Sequence, residues 1–194
     1  MIKRELYMKR IRPFIGNDLI KVMTGVRRAG KSVMLELVQE ELLEAGVSQS
    51  QFICINFENM QYAHLQTAQN LHSEILERAA EIKGKVYLFF DEIQEVTDWE
   101  KCINSLRVSL DCDIYITGSN AKLLSGELAT YLGGRYVEFV IYPFSFAEFL
   151  ELYRQKMPDE TETLAFQKSL LLGGMPYLAN LSYEEEPSRQ YLTD

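Results

Sequence analysis

The sequence predicts an open α/β sheet with helices on both faces. Short apolar runs alternate with helical patterns five times along the chain. One run, Val86 to Phe90, is five consecutive apolar residues, the pattern of a central parallel strand buried on both sides. A glycine-bearing segment, TGVRRAGKS at 24–32, lies between another such run and a helical pattern. Its spacing, G-x-x-x-x-G-K-S, arises by chance in roughly one chain per hundred of this length. Position decides its meaning, because a strand before it and a helix after it turn the loop into an anion site.

The elements follow in order. MIKRELYMKRIRPF reads as a short helix ended by Pro13. Lys3, Arg4, Lys9, Arg10 and Arg12 would form its solvated face, with Leu6 and Ile11 inward; the sharper reading of the basic face is a contact for an acidic partner. LIKVMTG at 19–25 is a strand. The helix after the loop carries Val33, Leu35, Leu37, Val38, Leu42 and Leu43 and stops before Gly46. Strands are expected at 51–59, in KVYLFFDE, in DIYITGSN and in RYVEFVIYPF. The segment 62–83 carries a helical pattern with Leu71, Ile75, Leu76 and Ala79 on one face. Capping boxes at Thr97/Glu100 and Ser145/Glu148 open two more helices. Residues 158–162 form a connector, so a first domain spans 1–157. The remainder, 158–194, holds a helix ended by Gly173-Gly174 and stops where another helix begins; the polypeptide reads as truncated.

Composition bounds the function. An apolar fraction of 47% supports a packed core, and a net charge of −8 argues against a broad nucleic-acid surface on this portion. Cys54, Cys102 and Cys112 show no metal spacing and read as free thiols of a reducing cytoplasm. His64 and His72 read as surface residues. No apolar run approaches a membrane span, so no membrane partner is expected.

The loop carries the chemistry. Gly25 and Gly30 permit backbone conformations and close approaches that side chains block. Along Gly25, Val26, Arg27, Arg28, Ala29, Gly30, Lys31 and Ser32, main-chain amides can form an anion nest, reinforced by the following helix dipole. Lys31 reaches β and γ phosphates, and the Ser32 hydroxyl suits Mg²⁺. Hydrolysis needs acids as well. Asp91, at the end of the buried strand, suits the metal's hydration shell, and Glu92 can polarise the attacking water. After the fourth strand, Asn120, or failing it Ser119, can contact the γ phosphate and that water. Arg135, in GGRY, can stabilise transferring charge in cis or from a neighbouring subunit.

GVRRAGKS, FFDEIQ, ITGSN and GGRY, in that order on those elements, resemble the AAA+ superfamily of P-loop ATPases. DEIQEVTDWEKCINSL, TGSNAKLLSGELATYLGGRY and YPFSFAEFL look like the prokaryotic predicted ATPases that carry an AAA domain followed by a C-terminal domain of unknown function. The resemblance covers nearly the whole chain. It implies a three-layer α-β-α P-loop NTPase fold with a five-stranded parallel sheet in order 5-1-4-3-2. It makes Lys31 and Ser32 Walker A residues, Asp91 and Glu92 Walker B residues, Asn120 sensor 1, and Arg135 the arginine near the fifth strand. GGMP, 173–176, looks like the start of an incomplete helical lid. No arginine matches sensor 2, Arg189 being a poor fit, and the C-terminal domain of the family is absent.

The resemblance implies ATP and Mg²⁺ as ligands, and the lack of an N/T-K-x-D segment agrees with ATP over GTP. The first functional reading is an ATPase that couples hydrolysis to a conformational change of the missing domain. The alternative is a nucleotide-gated module that recruits a protein or DNA partner with little turnover. A small-molecule kinase is a third reading, weakened by the lack of an evident acceptor pocket. Arg135 acting in trans would require a homo-oligomer.

Overall fold

A computed structural model of the chain describes residues 2–118 and 132–193. The chain divides into two compact units. The larger contains Glu5–Gly25 and Lys31–Val140; the smaller contains Met1–Arg4, Val26–Gly30 and Ile141–Asp194.

The larger unit is built on five strands: β1 (Ile20–Thr24), β2 (Phe52–Asn56), β3 (Val86–Asp91), β4 (Cys112–Thr117) and β5 (Tyr136–Val140). They form one parallel sheet in the order β2-β3-β4-β1-β5, the order that the resemblance implied. Every residue of β1, β3 and β4 is buried, as expected of central strands under helices on both faces. On one face Ile20, Val22, Ile55, Leu88, Phe90, Ile114 and Ile116 join one core with helices α3 (Ala68–Ala80) and α4 (Trp99–Ser109). Leu71 and Ile75 of α3 and Ile103 and Leu106 of α4 are fully buried there. The other face carries helix α2 (Lys31–Glu44) and an aromatic row in which Phe89 stacks on Tyr115 with centroids 4.9 Å apart. The result is a three-layer α/β P-loop NTPase fold.

Four sequence expectations need correction. In helix α1 (Glu5–Ile11) Ile11 is buried as expected, but Leu6 faces solvent, and Tyr7 and Met8 are buried in its place. The basic stripe is not wholly solvated either: Arg12 bonds Glu5 and Glu41, and Arg4 is buried. The helical segment 62–83 splits into a 3-10 helix, Met60–Leu65, and α3, because Thr67 caps α3 by accepting the Asn70 amide at 3.3 Å. The Thr97/Glu100 capping box does not form. The Thr97 backbone is engaged with 66–68, its amide on Gln66 O and its carbonyl on the Ala68 amide, so α4 starts after Asp98.

The smaller unit contains α5 (Phe146–Lys156), α6 (Glu162–Leu172), a 3-10 helix at Pro176–Leu181 and α7 (Glu185–Thr193). Phe149, Tyr153, Ala165, Leu172, Leu178 and Tyr183 form its core. Gly174 lies where a Cβ would stand 2.2 Å from the Phe144 carbonyl oxygen, so a side chain there would displace backbone. The Ser145/Glu148 capping box opens α5 as expected.

Glu148 also accepts from Arg4 Nε at 2.9 Å. Burial alone would raise its carboxyl; the bonds from Arg4 and from the Ser145 amide outweigh that and hold it below the ordinary value. Its stabilisation is therefore present above about pH 4.3, the unfolded glutamate value, and is lost as pH falls through the lower folded one. Thermal unfolding followed by circular dichroism from pH 6 to pH 3 should show a steeper loss of midpoint for the native chain than for Glu148→Gln. Parallel curves would remove this linkage.

Candidate functional site

Strand β1 ends at Thr24, and the loop that follows has three residues with positive φ: Gly25 at 143°, Arg28 at 67° and Gly30 at 96°. The two glycines adopt such angles freely; Arg28 adopts its own against steric preference. The Ala29 amide closes a turn on the Val26 carbonyl at 3.3 Å. That amide is thus used internally, which leaves the amides of Gly30, Lys31 and Ser32, at the start of α2, as the next donors along the loop. Val26, Arg27 and Arg28 are exposed and Ala29 is fully buried.

Lys31 is 4% exposed, and its ammonium donates to the Gly25 carbonyl at 3.3 Å. The same ammonium lies 3.8 Å from Glu92 Oε1. The loop lysine and the acid that directly follows β3 are thereby brought together at the C-terminal edge of the sheet. This is the edge at which open α/β sheets bind ligands.

Asp91 is buried and held on both oxygens. Oδ1 accepts from Thr117 Oγ1, and Oδ2 accepts from Asn56 Nδ2 at 3.0 Å. The parallel register explains both partners. Asn56 pairs with Asp91 across β2 and β3, and Thr117 ends the neighbouring strand β4. The Thr117 hydroxyl also accepts the Glu92 amide at 3.0 Å, so one side chain orients both acids. Glu92 has φ 56°, and its Oε2 accepts from Gln94 Nε2 at 2.5 Å. Sequence reading missed Thr117 and Asn56. The available signal was a polar residue near the end of each predicted strand; in the structure they are the last residues of β4 and β2.

Ser32 and Asp91 both line a cleft of about 360 Å³ that also includes Glu36, Asn56 and Tyr62. A hydroxyl and a carboxylate on one cleft, with the carboxylate already fixed by neutral donors, fit Mg²⁺. That ion takes one or two protein oxygens and fills its shell with water and phosphate.

One expected site residue is not brought to this edge. Arg135 is exposed and sits at the N-terminal start of β5, where its carbonyl accepts the Ile20 amide at 2.9 Å. The length of β1, about 17 Å for five residues, separates that row from the loop. Asn120 and its alternative Ser119 lie outside the described residues. The cysteines are free, and burial raises Cys102 to about 12 and Cys112 to about 11. Among the described residues no helix is long and apolar enough to cross a membrane.

Solved structures share this fold. PCH-2 of C. elegans aligns with a TM-score of 0.61 at 13% identity, covering 99% of this chain and 70% of that one. Cdc6p of Pyrobaculum aerophilum aligns with a TM-score of 0.59 at 13% identity, covering 98% and 60%. The Aeropyrum pernix ORC1 protein, solved in complex with DNA, gives 0.55 at 13% identity, covering 99% and 66%. Two relatives are closer in sequence. An uncharacterized protein of Haemophilus influenzae is 49% identical over 91% of this chain and 44% of its own length. An uncharacterized protein of Methanocaldococcus jannaschii is 34% identical over 99% and 43%. The chain thus spans less than half the length of these curated relatives. Residues 17–150 match the AAA domain family, and with the glycine-bearing loop, the paired acids and the sheet order already in place, the chain belongs to that family of P-loop ATPases.

Proposed function

We propose that the chain binds Mg-ATP and hydrolyses it, and that turnover changes the conformation of a further C-terminal domain. The carrying observation is the convergence of Lys31, Asp91 and Glu92 at one sheet edge, with Thr117 bonded to both acids. In this reading residues 1–157 are the ATPase domain and 158–194 part of a helical lid.

The chemistry divides among the residues. The amides of 30–32 and the Lys31 ammonium hold the phosphates. Binding exchanges the Lys31 contacts with the Gly25 carbonyl and Glu92 for phosphate oxygens. That exchange leaves the Glu92 carboxylate available to take the proton of the attacking water. The water oxygen bonds to the γ-phosphorus, the bond to the ADP oxygen breaks, and inorganic phosphate leaves. Ser32 and Asp91 would hold Mg²⁺, which supplies neutralisation of phosphate charge. Asn120 would orient the water. Arg135 fits a role in trans, on a neighbouring copy, because its own strand points it away from the loop. The free thiols support a reducing, cytoplasmic setting. A protein or DNA partner would bind through the further domain.

Calorimetry with ATP, ADP and GTP, with and without magnesium, tests the binding. Lys31→Ala is expected to weaken Mg-ATP by roughly 30- to 100-fold, the loss of charge-assisted hydrogen bonds. No heat from the native chain at saturating Mg-ATP would sink the proposal. Mixing Arg135→Ala with Lys31→Ala chains tests the shared site: turnover restored in the mixture supports it, and continued inactivity removes it.

A further inference from the structure

We infer that Arg4 sets the orientation of the phosphate loop and is a positioning residue for phosphate binding. The inference rests on the nucleotide reading above and deepens it. Arg4 is 2% exposed, and all three guanidinium nitrogens donate to different segments. Nε reaches Glu148 Oε1 at 2.9 Å, Nη1 the Ala29 carbonyl at 2.9 Å and Nη2 the Tyr142 carbonyl at 2.8 Å. The guanidinium also lies 5.1 Å from the Phe144 ring centroid. Its backbone has φ 43°, a left-handed conformation that a non-glycine residue adopts at a cost. A strained residue whose head is bonded on every side is over-determined by its surroundings.

The bond to Ala29 has a consequence inside the loop. The Ala29–Gly30 peptide is trans and planar, so its carbonyl and its N–H point in opposite directions. Pinning the Ala29 carbonyl on Arg4 therefore turns the Gly30 N–H away from Arg4. Gly30 has φ 96°, a residue around which this peptide could otherwise rotate. The Ala29 amide is committed to Val26, so the Gly30 amide is the next donor along the loop, and Arg4 fixes its direction. Arg4 does not touch phosphate in this account. Glu148 neutralises its charge and holds it in place.

The fit of arginine is specific. Lysine carries one ammonium, which cannot span a carboxylate and two carbonyls in three directions at once. The same chemistry predicts that the loss at Arg4 is a loss of triphosphate recognition, independent of the base. Inorganic tripolyphosphate with Mg²⁺ is the probe that isolates it.

The test follows tripolyphosphate binding by calorimetry and by amide NMR of the native chain, Arg4→Ala, Arg4→Lys and Lys31→Ala. In the native chain the Gly30 amide should move downfield on titration, a measurement that needs no variant to fold. Both Arg4 variants should bind about tenfold more weakly, with the Gly30 response reduced and the Lys31 amide still responding. A purely structural Arg4 would lower the unfolding temperature and leave affinity and the Gly30 shift unchanged; that result overturns the inference. A native Gly30 amide that does not respond while phosphate binds overturns it as well. If the native chain binds neither tripolyphosphate nor ATP, the nucleotide reading fails and takes this inference with it. Binding that Lys31→Ala weakens and both Arg4 variants preserve sinks this inference alone.

Discussion

Glu92→Gln is expected to lower steady-state ATP turnover by about 10²- to 10⁴-fold, the range that a positioned general base contributes, while Mg-ATP binding is kept. The geometry separates the two effects. Glu92 is held by its backbone, whose N–H donates a hydrogen bond to Thr117 Oγ1, and glutamine keeps that bond. A glutamine side-chain oxygen can still accept from Gln94. What the variant loses is the proton-accepting carboxylate and the 3.8 Å attraction for Lys31. With that attraction gone, Lys31 has one fewer competitor for phosphate, so affinity should hold or tighten. Phosphate release and calorimetry on the same preparation check both halves. Equal turnover in the two chains would remove Glu92 as the base. A turnover near zero in the native chain, with nucleotide bound for hours, would favour a nucleotide-gated interaction module over an ATPase.

The parts of this site that were legible in the sequence are those written contiguously. GVRRAGKS and the Asp91-Glu92 pair each occupy one short segment, and each sits at the end of an apolar run that marks its strand. Apolar runs alternating with helical patterns also yielded the five strands and most helices, most plainly β3, where burial on both faces writes an unbroken apolar run. The strand order came from family resemblance, since periodicity carries no neighbour information. Thr117 and Asn56 were not legible because register, not sequence proximity, brings them to Asp91 from strands 26 and 35 residues away. Arg4 was misread for a related reason. A lone basic residue in a basic stretch looks solvated until a carboxylate from residue 148 is folded against it. Arg135 shows the converse limit. Its motif announced a role, and only the parallel pairing of β1 with β5 revealed that it stands at the far end of its strand.

Asp113→Ala is expected to destabilise the chain by about 3–5 kcal/mol, which for a protein of this size lowers the unfolding midpoint by roughly 6–20 °C. Lys21 and Asp113 are both completely buried, in strands that otherwise read as apolar, and their charged atoms are 2.5 Å apart. Burial pulls the Lys21 ammonium below its ordinary value, with Asp113 opposing the shift. Asp113 therefore keeps that cation tolerable in the core. Its second oxygen accepts from the Gly16 amide at 2.7 Å and the Tyr115 hydroxyl at 2.8 Å, so removing the carboxylate takes a partner from both and leaves the Lys21 cation, still donating to the Asn17 carbonyl at 3.1 Å, without its counter-charge. A partner-matched change should cost far less. In Lys21→Met/Asp113→Asn the cation is gone, and an amide oxygen remains for Gly16 or Tyr115. Chemical denaturation of the single and double variants separates the cases: equal losses would mean that the two charges are not coupled. The network anchors Gly16 and the start of β1, and β1 ends at the loop proposed to hold phosphate. A loosened base should therefore weaken Mg-ATP binding in Asp113→Ala at temperatures where it is still folded, with the double variant restoring much of the affinity.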